Sequence, residues 1–302
     1  MIWFFLLLAM SMSEQSAARG MTDPSLQEKI ERLFQDVFFG DDETREALGR
    51  GKAKEIYAQR GLPTIAEVGD EAAYEFIVLL LSDKFPLAFR MEVLAKVNQE
   101  AARHEVPQDA ATFYAAKLHI EKAKADAEAH PPSNPVLRDE IDRLYKADQA
   151  VRQQKGFDPQ KLARIDLQHA APLQAILNKY GVPNYVMVGP EAAGEFVIMI
   201  QHQPARFRQQ VLPKLKANVD IGQADPESYA LVYDRSQRDT GKKQLYGEQF
   251  ECNPGERLHP APLGDEAHVN QRRAELGLIR IEFYVRMLAE TMPQFCSAAS
   301  PP

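Results

Sequence analysis

Asp148, Gln149 and Arg152 fall within one helical turn of each other, a spacing that puts the carboxylate and the guanidinium on one side of a helix. Such a pair is either an exposed ion pair worth a few tenths of a kcal/mol or, where the position faces inward, a buried carboxylate held by its arginine. Asp166 and His169 are three apart and can share a face, the carboxylate orienting the imidazole or the two making a plain surface pair. His202, in Gln201-His202-Gln203-Pro204, closes a predicted helix. The helix dipole favours a protonated ring there, and titration near neutrality also suits it to work as acid, base or metal ligand. Asp234 and Arg235 are adjacent and point to different faces of a helix, so at most one is expected to meet His202. Arginine forks with Gln and Tyr donors suit a carboxylate or phosphate. His202, His169, Asp234 and Asp148 are therefore the candidate catalytic residues. Arg152, Gln149, Arg235, Gln244, Tyr246, Gln249, Arg272 and Arg273 are candidate contacts to a small anionic substrate, and hydrolysis is the expected reaction class. The alternative is a module that binds a small anion or a peptide terminus without turnover.

Several chemistries find no support. The histidines and acids match no compact ligand spacing, so no metal is assigned. There is no Gly-x-Ser-x-Gly elbow, no phosphate-loop glycine pattern and no cysteine paired by sequence to a histidine. No feature identifies a cofactor or an oligomeric state. The net charge of −7 falls before residue 134 and the remainder is balanced, so neither part offers the concentrated basic face that nucleic acid requires. Residues 1–20 open on an apolar run of signal-peptide length, Met1 to Met10, with Ser16-Ala17-Ala18 as a small-residue cleavage site; no basic residue precedes it, and Met21 is the alternative start. The run is too short for a stable membrane span. A signal peptide would place the protein in the periplasm or outside the cell, and a start at Met21 in the cytoplasm. Cys252 and Cys296 are compatible with a disulfide or with two free thiols.

The elements that must position these residues occur twice. Gly61-Leu62-Pro63 and Val68-Gly69-Asp70-Glu71-Ala72-Ala73-Tyr74-Glu75-Phe76 recur as Gly181-Val182-Pro183 and Val188-Gly189-Pro190-Glu191-Ala192-Ala193-Gly194-Glu195-Phe196. Apolar positions are shared along both copies, but Val37, Phe38 and Asp41 stand opposite Asp148, Gln149 and Arg152, Gly49 opposite His169, and Ser82 opposite His202. One working copy and one scaffold copy is the simplest reading. Apolar residues at helical spacing, such as Leu137, Ile141 and Leu144, predict an all-α, mainly helical fold of two tandem related domains. The predicted division is a degenerate repeat at 21–128, a Pro-rich linker at 129–135, a domain carrying the polar motifs at 136–292 and a tail at 293–302. Gly241 to Gly264, crowded with Gly, Pro and aromatic residues, reads as an ordered loop or small hairpin that only the second copy carries.

Asp148-Gln149 with Arg152, Gly181-Val182-Pro183, Val188-Gly189, Gln201-His202, Asp234-Arg235, Gln244 with Tyr246-Gly247 and Gln249, and Arg272-Arg273 with Gly277-Leu278 resemble the bacterial domain-of-unknown-function family 6624. The resemblance covers about residues 137 to 290, and the first copy is similar to that family only in its scaffold. Glu248 departs from it, standing where the family has a small hydroxyl residue. The resemblance implies a helical domain and a polar motif set without an assigned activity.

Overall fold

The computed structural model describes residues 21–40, 42–154, 158–252 and 257–291. The N-terminal apolar run, Asp41, Cys296 and the tail lie outside the described residues. The fold is mainly helical, with fourteen α-helices and one two-stranded antiparallel pair among the described residues. No described helix is long and apolar enough to cross a membrane. The chain divides into two compact units, 1–111 and 112–302.

In the first unit, α1 (Pro24–Phe38) starts where the Asp23 side chain accepts the Leu26 N–H at 3.1 Å and Pro24 supplies a preset first turn. It buries Leu26, Ile30, Leu33, Phe34 and Val37, a single stripe at helical spacing. Phe38, next to Val37, is 40% exposed and stacks on Phe34, so of the apolar pair opposite Asp148 and Gln149 only Val37 faces inward. Helix α2 (Glu43–Arg60) ends at Gly61, the one-turn helix α3 (Ile65–Val68) is closed by a Thr64/Glu67 capping box, and α4 (Asp70–Leu80) follows Gly69 directly. Helix α4 is buried without interruption from Ala72 to Leu80, as a central helix must be. Then come α5 (Leu87–Ala101) and α6 (Gln108–Glu128), and the division into units falls within α6.

The second unit repeats the element order. Helix α7 (Pro135–Arg152) starts with Asn134 capping Leu137 N–H at 3.1 Å and buries Leu137, Ile141, Leu144 and, on the same stripe, Asp148. Helix α8 (Pro159–Tyr180) ends at Gly181, the one-turn α9 (Tyr185–Val188) is capped by Asn184, and α10 (Pro190–Gln201) follows Gly189. The turn glycines match in backbone angle: φ is 79° at Gly61 and 78° at Gly181, 84° at Gly69 and 83° at Gly189. These left-handed conformations strain any residue with a Cβ. Helices α11 (Ala205–Asp220) and α12 (Pro226–Asp239) pack against each other and against α10. The core gathers Leu137, Ile141, Leu173, Phe196, Ile200, Val211 and Val232.

From Thr240 the chain forms the long loop predicted between Gly241 and Gly264. Its regular part is β1 (Phe250–Glu251) paired antiparallel with β2 (His259–Pro260), flanked by a Gln244–Leu263 bridge. A 3₁₀ turn at Glu266–His268 leads to α13 (Val269–Glu275) and α14 (Ile281–Thr291). Cys252 in this loop is disulfide-bonded.

Candidate functional site

Three helices of the second unit bring Asp148, Arg152, Asp166, His169 and His202 together. Asp148 projects inward from α7 because it continues the apolar stripe of Leu137, Ile141 and Leu144, and its side chain is 1% exposed. Its Oδ2 accepts from Arg152 Nε at 2.8 Å and from Gln149 Nε2 at 3.0 Å. The same arginine reaches across to Asp166 on α8, so one guanidinium bridges two carboxylates. His169, one helical turn beyond Asp166, sets its Nδ1 3.8 Å from Asp148 Oδ1, and Asp166 adds a weaker attraction. His202, at the C-cap of α10, sets its Nδ1 3.7 Å from Asp148 Oδ2.

The resulting electrostatics are asymmetric. Burial opposes ionisation of Asp148, but the adjoining His202 imidazole and the Arg152 guanidinium outweigh it and hold the carboxyl at about 2. Burial pushes His169 the other way, below the ordinary histidine value, against the attraction of Asp148. His169 is thus a buried neutral ring on one oxygen of Asp148. His202, partly exposed, has an Nδ1 that is shielded from solvent yet lacks a hydrogen-bond partner. At 3.7 Å the Asp148 contact is too long for a formed hydrogen bond.

Arg235 joins the rim from α12. Its Nη1 donates to Gln201 O at 3.3 Å, its one hydrogen bond among the described residues. Burial lowers its pKa, the neighbouring Arg208 and Arg152 charges lower it further, and the Asp239 carboxylate opposes them. Arg208, not foreseen from its residue type, is 3% exposed; it donates to the carbonyls of Gln201 and Gln203 and pairs with Asp239. The alignment of Val93-Leu94 with Val211-Leu212 also sets Arg90 opposite Arg208, and both are buried, which is the signal that would have found it. Gln203 holds Asp166 O at 3.0 Å.

The other candidates are committed to the long loop. Asp234 is fully buried and accepts the backbone N–H groups of Leu245 at 2.8 Å, Tyr246 at 3.1 Å and Glu248 at 3.0 Å. Burial raises its pKa while those N–H groups pull it down. Gln244 bonds Gln249 O at 2.8 Å and Ala261 O at 2.6 Å through its amide nitrogen, and takes Gln249 N–H at 2.9 Å on its oxygen. The Gln249 side chain donates to Glu248 O at 3.1 Å. Arg272 donates to the carbonyls of Leu245, Gly264 and Asp265, and Asp265 pairs with Arg272 and His268. Arg273, 1% exposed, donates to Tyr246 O and Ile279 O at 2.6 Å and pairs with Glu248 at 2.7 Å. Glu248 therefore gives that arginine a buried counter-ion, and burial pushes the Glu248 carboxyl up to about 7. Tyr246 stacks edge-on against Tyr229 and Tyr233.

Ligand atoms of Asp148, Asp166 and His202 lie within 4.8 Å of one another, a separation that would admit a metal ion. The Arg152 guanidinium already bonds both carboxylates and supplies the positive charge between them, so an ion there would have to displace it. The arrangement is that of an anchored carboxylate beside a partly exposed imidazole, with arginine at the rim.

Residues 135–294 match the model of a family described as Family of unknown function (DUF6624). No curated protein and no solved structure matches the chain.

Proposed function

We propose a reaction class for this chain, which belongs to DUF6624: acid–base catalysis on a small anionic substrate, with hydrolysis as the reaction. The observation that carries the reading is the shielded, unpaired Nδ1 of His202 facing the ionised Asp148. Asp148 fixes the tautomer by accepting a hydrogen bond from the Nδ1–H, and the opposite ring nitrogen removes a proton from water as the water attacks the substrate. The imidazolium, stabilised by Asp148, returns that proton to the leaving group. Arg152 keeps Asp148 in place, His169 fills the far side of the carboxylate without competing for charge, and Arg235 offers its spare donors to the anion.

The first unit supports the same assignment. A Cβ on Gly49 would lie 2.6 Å from Val37, so the positions opposite His169 and Asp148 are also neighbours there, as a glycine and a valine. We read this as one domain duplicated, its scaffold kept and its polar centre lost. The test is a panel of chromogenic phosphate and carboxylate esters offered to the parent protein, His202→Ala and Asp148→Asn. Turnover in the parent, reduced about 100-fold in His202→Ala with the fold intact, is expected. No turnover in the parent, or full activity in His202→Ala, would defeat the proposal.

Arg235 favours a second reading, anion binding without turnover, since its guanidinium has donors to spare. A phosphate or carboxylate that raises the Tm and is recovered unchanged would select it.

A further inference from the structure

Away from this centre, the start of α10 and the side of α7 enclose a cavity of about 440 Å³ that also borders the end of α6. Val188, Pro190 and Ala192 give it apolar wall, while Asp142, Glu191 and Glu195 make it acidic. Two of the five carboxylates that line it are matched at close range: Asp142 pairs with Lys146 at 2.7 Å, and Asp139 with Arg138 at 2.7 Å. Glu195 is different. It is 8% exposed, lines the cavity, and its Oε2 is buried without a hydrogen-bond partner. A buried polar atom in that condition forgoes a hydrogen bond it would have in water, a cost that a donor ligand removes.

We propose that this cavity is a binding site for a small organic ammonium ion, one nitrogen of which donates to the Glu195 carboxylate while its carbon chain lies on the part-exposed Pro132 and Pro190. A hard divalent cation is the weaker fit, because it needs about six or more oxygen ligands and two of the neighbouring carboxylates, Asp142 and Asp139, are engaged by Lys146 and Arg138. An anion is disfavoured by the excess of carboxylates. Several carboxylates beside an apolar wall, one of them buried and unpaired, suit a short alkyl chain with an ammonium group at each end.

The probe is 1,4-diaminobutane, titrated calorimetrically into the full chain, with calcium and magnesium as separate arms. Wild type is expected to bind the diamine and to gain roughly 3–5 °C in Tm at tenfold excess over Kd. Glu195→Gln keeps the side-chain volume and should weaken binding at least tenfold, while Glu191→Gln at the exposed rim should weaken it less than threefold. Absence of binding to wild type, equal binding by Glu195→Gln, or stabilisation by calcium or magnesium in place of the diamine would overturn the proposal. None of these outcomes depends on ester turnover at His202.

Discussion

At the scale of single residues, Asp148 organises the candidate site, and its carboxyl is held at about 2 in the fold against an ordinary value of 3.8. A depressed carboxylate stabilises the fold above its unfolded pKa and loses that contribution as pH falls toward the folded value. The difference corresponds to about 2 kcal/mol. Asp148→Asn should therefore cost about that much at pH 7, and the gap to wild type should close between about pH 4 and pH 2, as followed by urea unfolding across that range. Glu195 has the opposite sign: burial first, then the nearby Asp142 and Glu191 charges, push it up to about 6. Its ionised form is destabilising above that pH. Without added ligand, Glu195→Gln should raise stability by up to about 2 kcal/mol at pH 8 and leave it unchanged near pH 4. The pairing of Asp148 with Arg152 was legible in the sequence, because a spacing of four fixes neighbours on a helix. The partner of His169 was not. Its spacing to Asp166 offered a local carboxylate, and the packing of α7 against α8 supplied Asp148 as the stronger attraction, a contact between helices that no periodicity encodes.

At the scale of elements, the long loop shows why residue type alone does not separate a binding group from a brace. A segment with almost no regular pairing leaves backbone N–H and C=O groups that must find partners when buried. Asp234, Gln244, Arg272 and Arg273 supply them from side chains that would suit an anion equally well. Gly247 completes the turn because its φ of 81° strains any residue with a Cβ, and a Cβ there would also press on the Ile281 side chain. Asp234→Ala would strip the acceptor from the N–H groups of Leu245, Tyr246 and Glu248, at a cost of roughly 3 kcal/mol. The signature is loss of hydrogen-exchange protection at those amides before the rest of the unit opens. If their protection persists, the loop is held by something other than this carboxylate. The existence of the loop was legible from its Gly and Pro content, and its internal wiring was not.

At the scale of the whole molecule, helical periodicity was enough to predict a mainly helical chain, since it acts locally. The compact units divide inside α6, whose uninterrupted helix carries no compositional mark of that boundary. The second unit has its own core, from Leu137 to Leu278, so a fragment spanning 112–302 is expected to melt cooperatively on its own in calorimetry. A broad, non-cooperative transition would mean that its core is incomplete without residues 1–111. On the proposed reading, His202 moves protons under the control of Asp148. The most direct test is the initial rate of ester hydrolysis by wild type and by His202→Ala side by side, both verified as folded. A loss of about 100-fold in the variant is predicted; rates that agree within threefold, or a wild type that hydrolyses nothing, would contradict it.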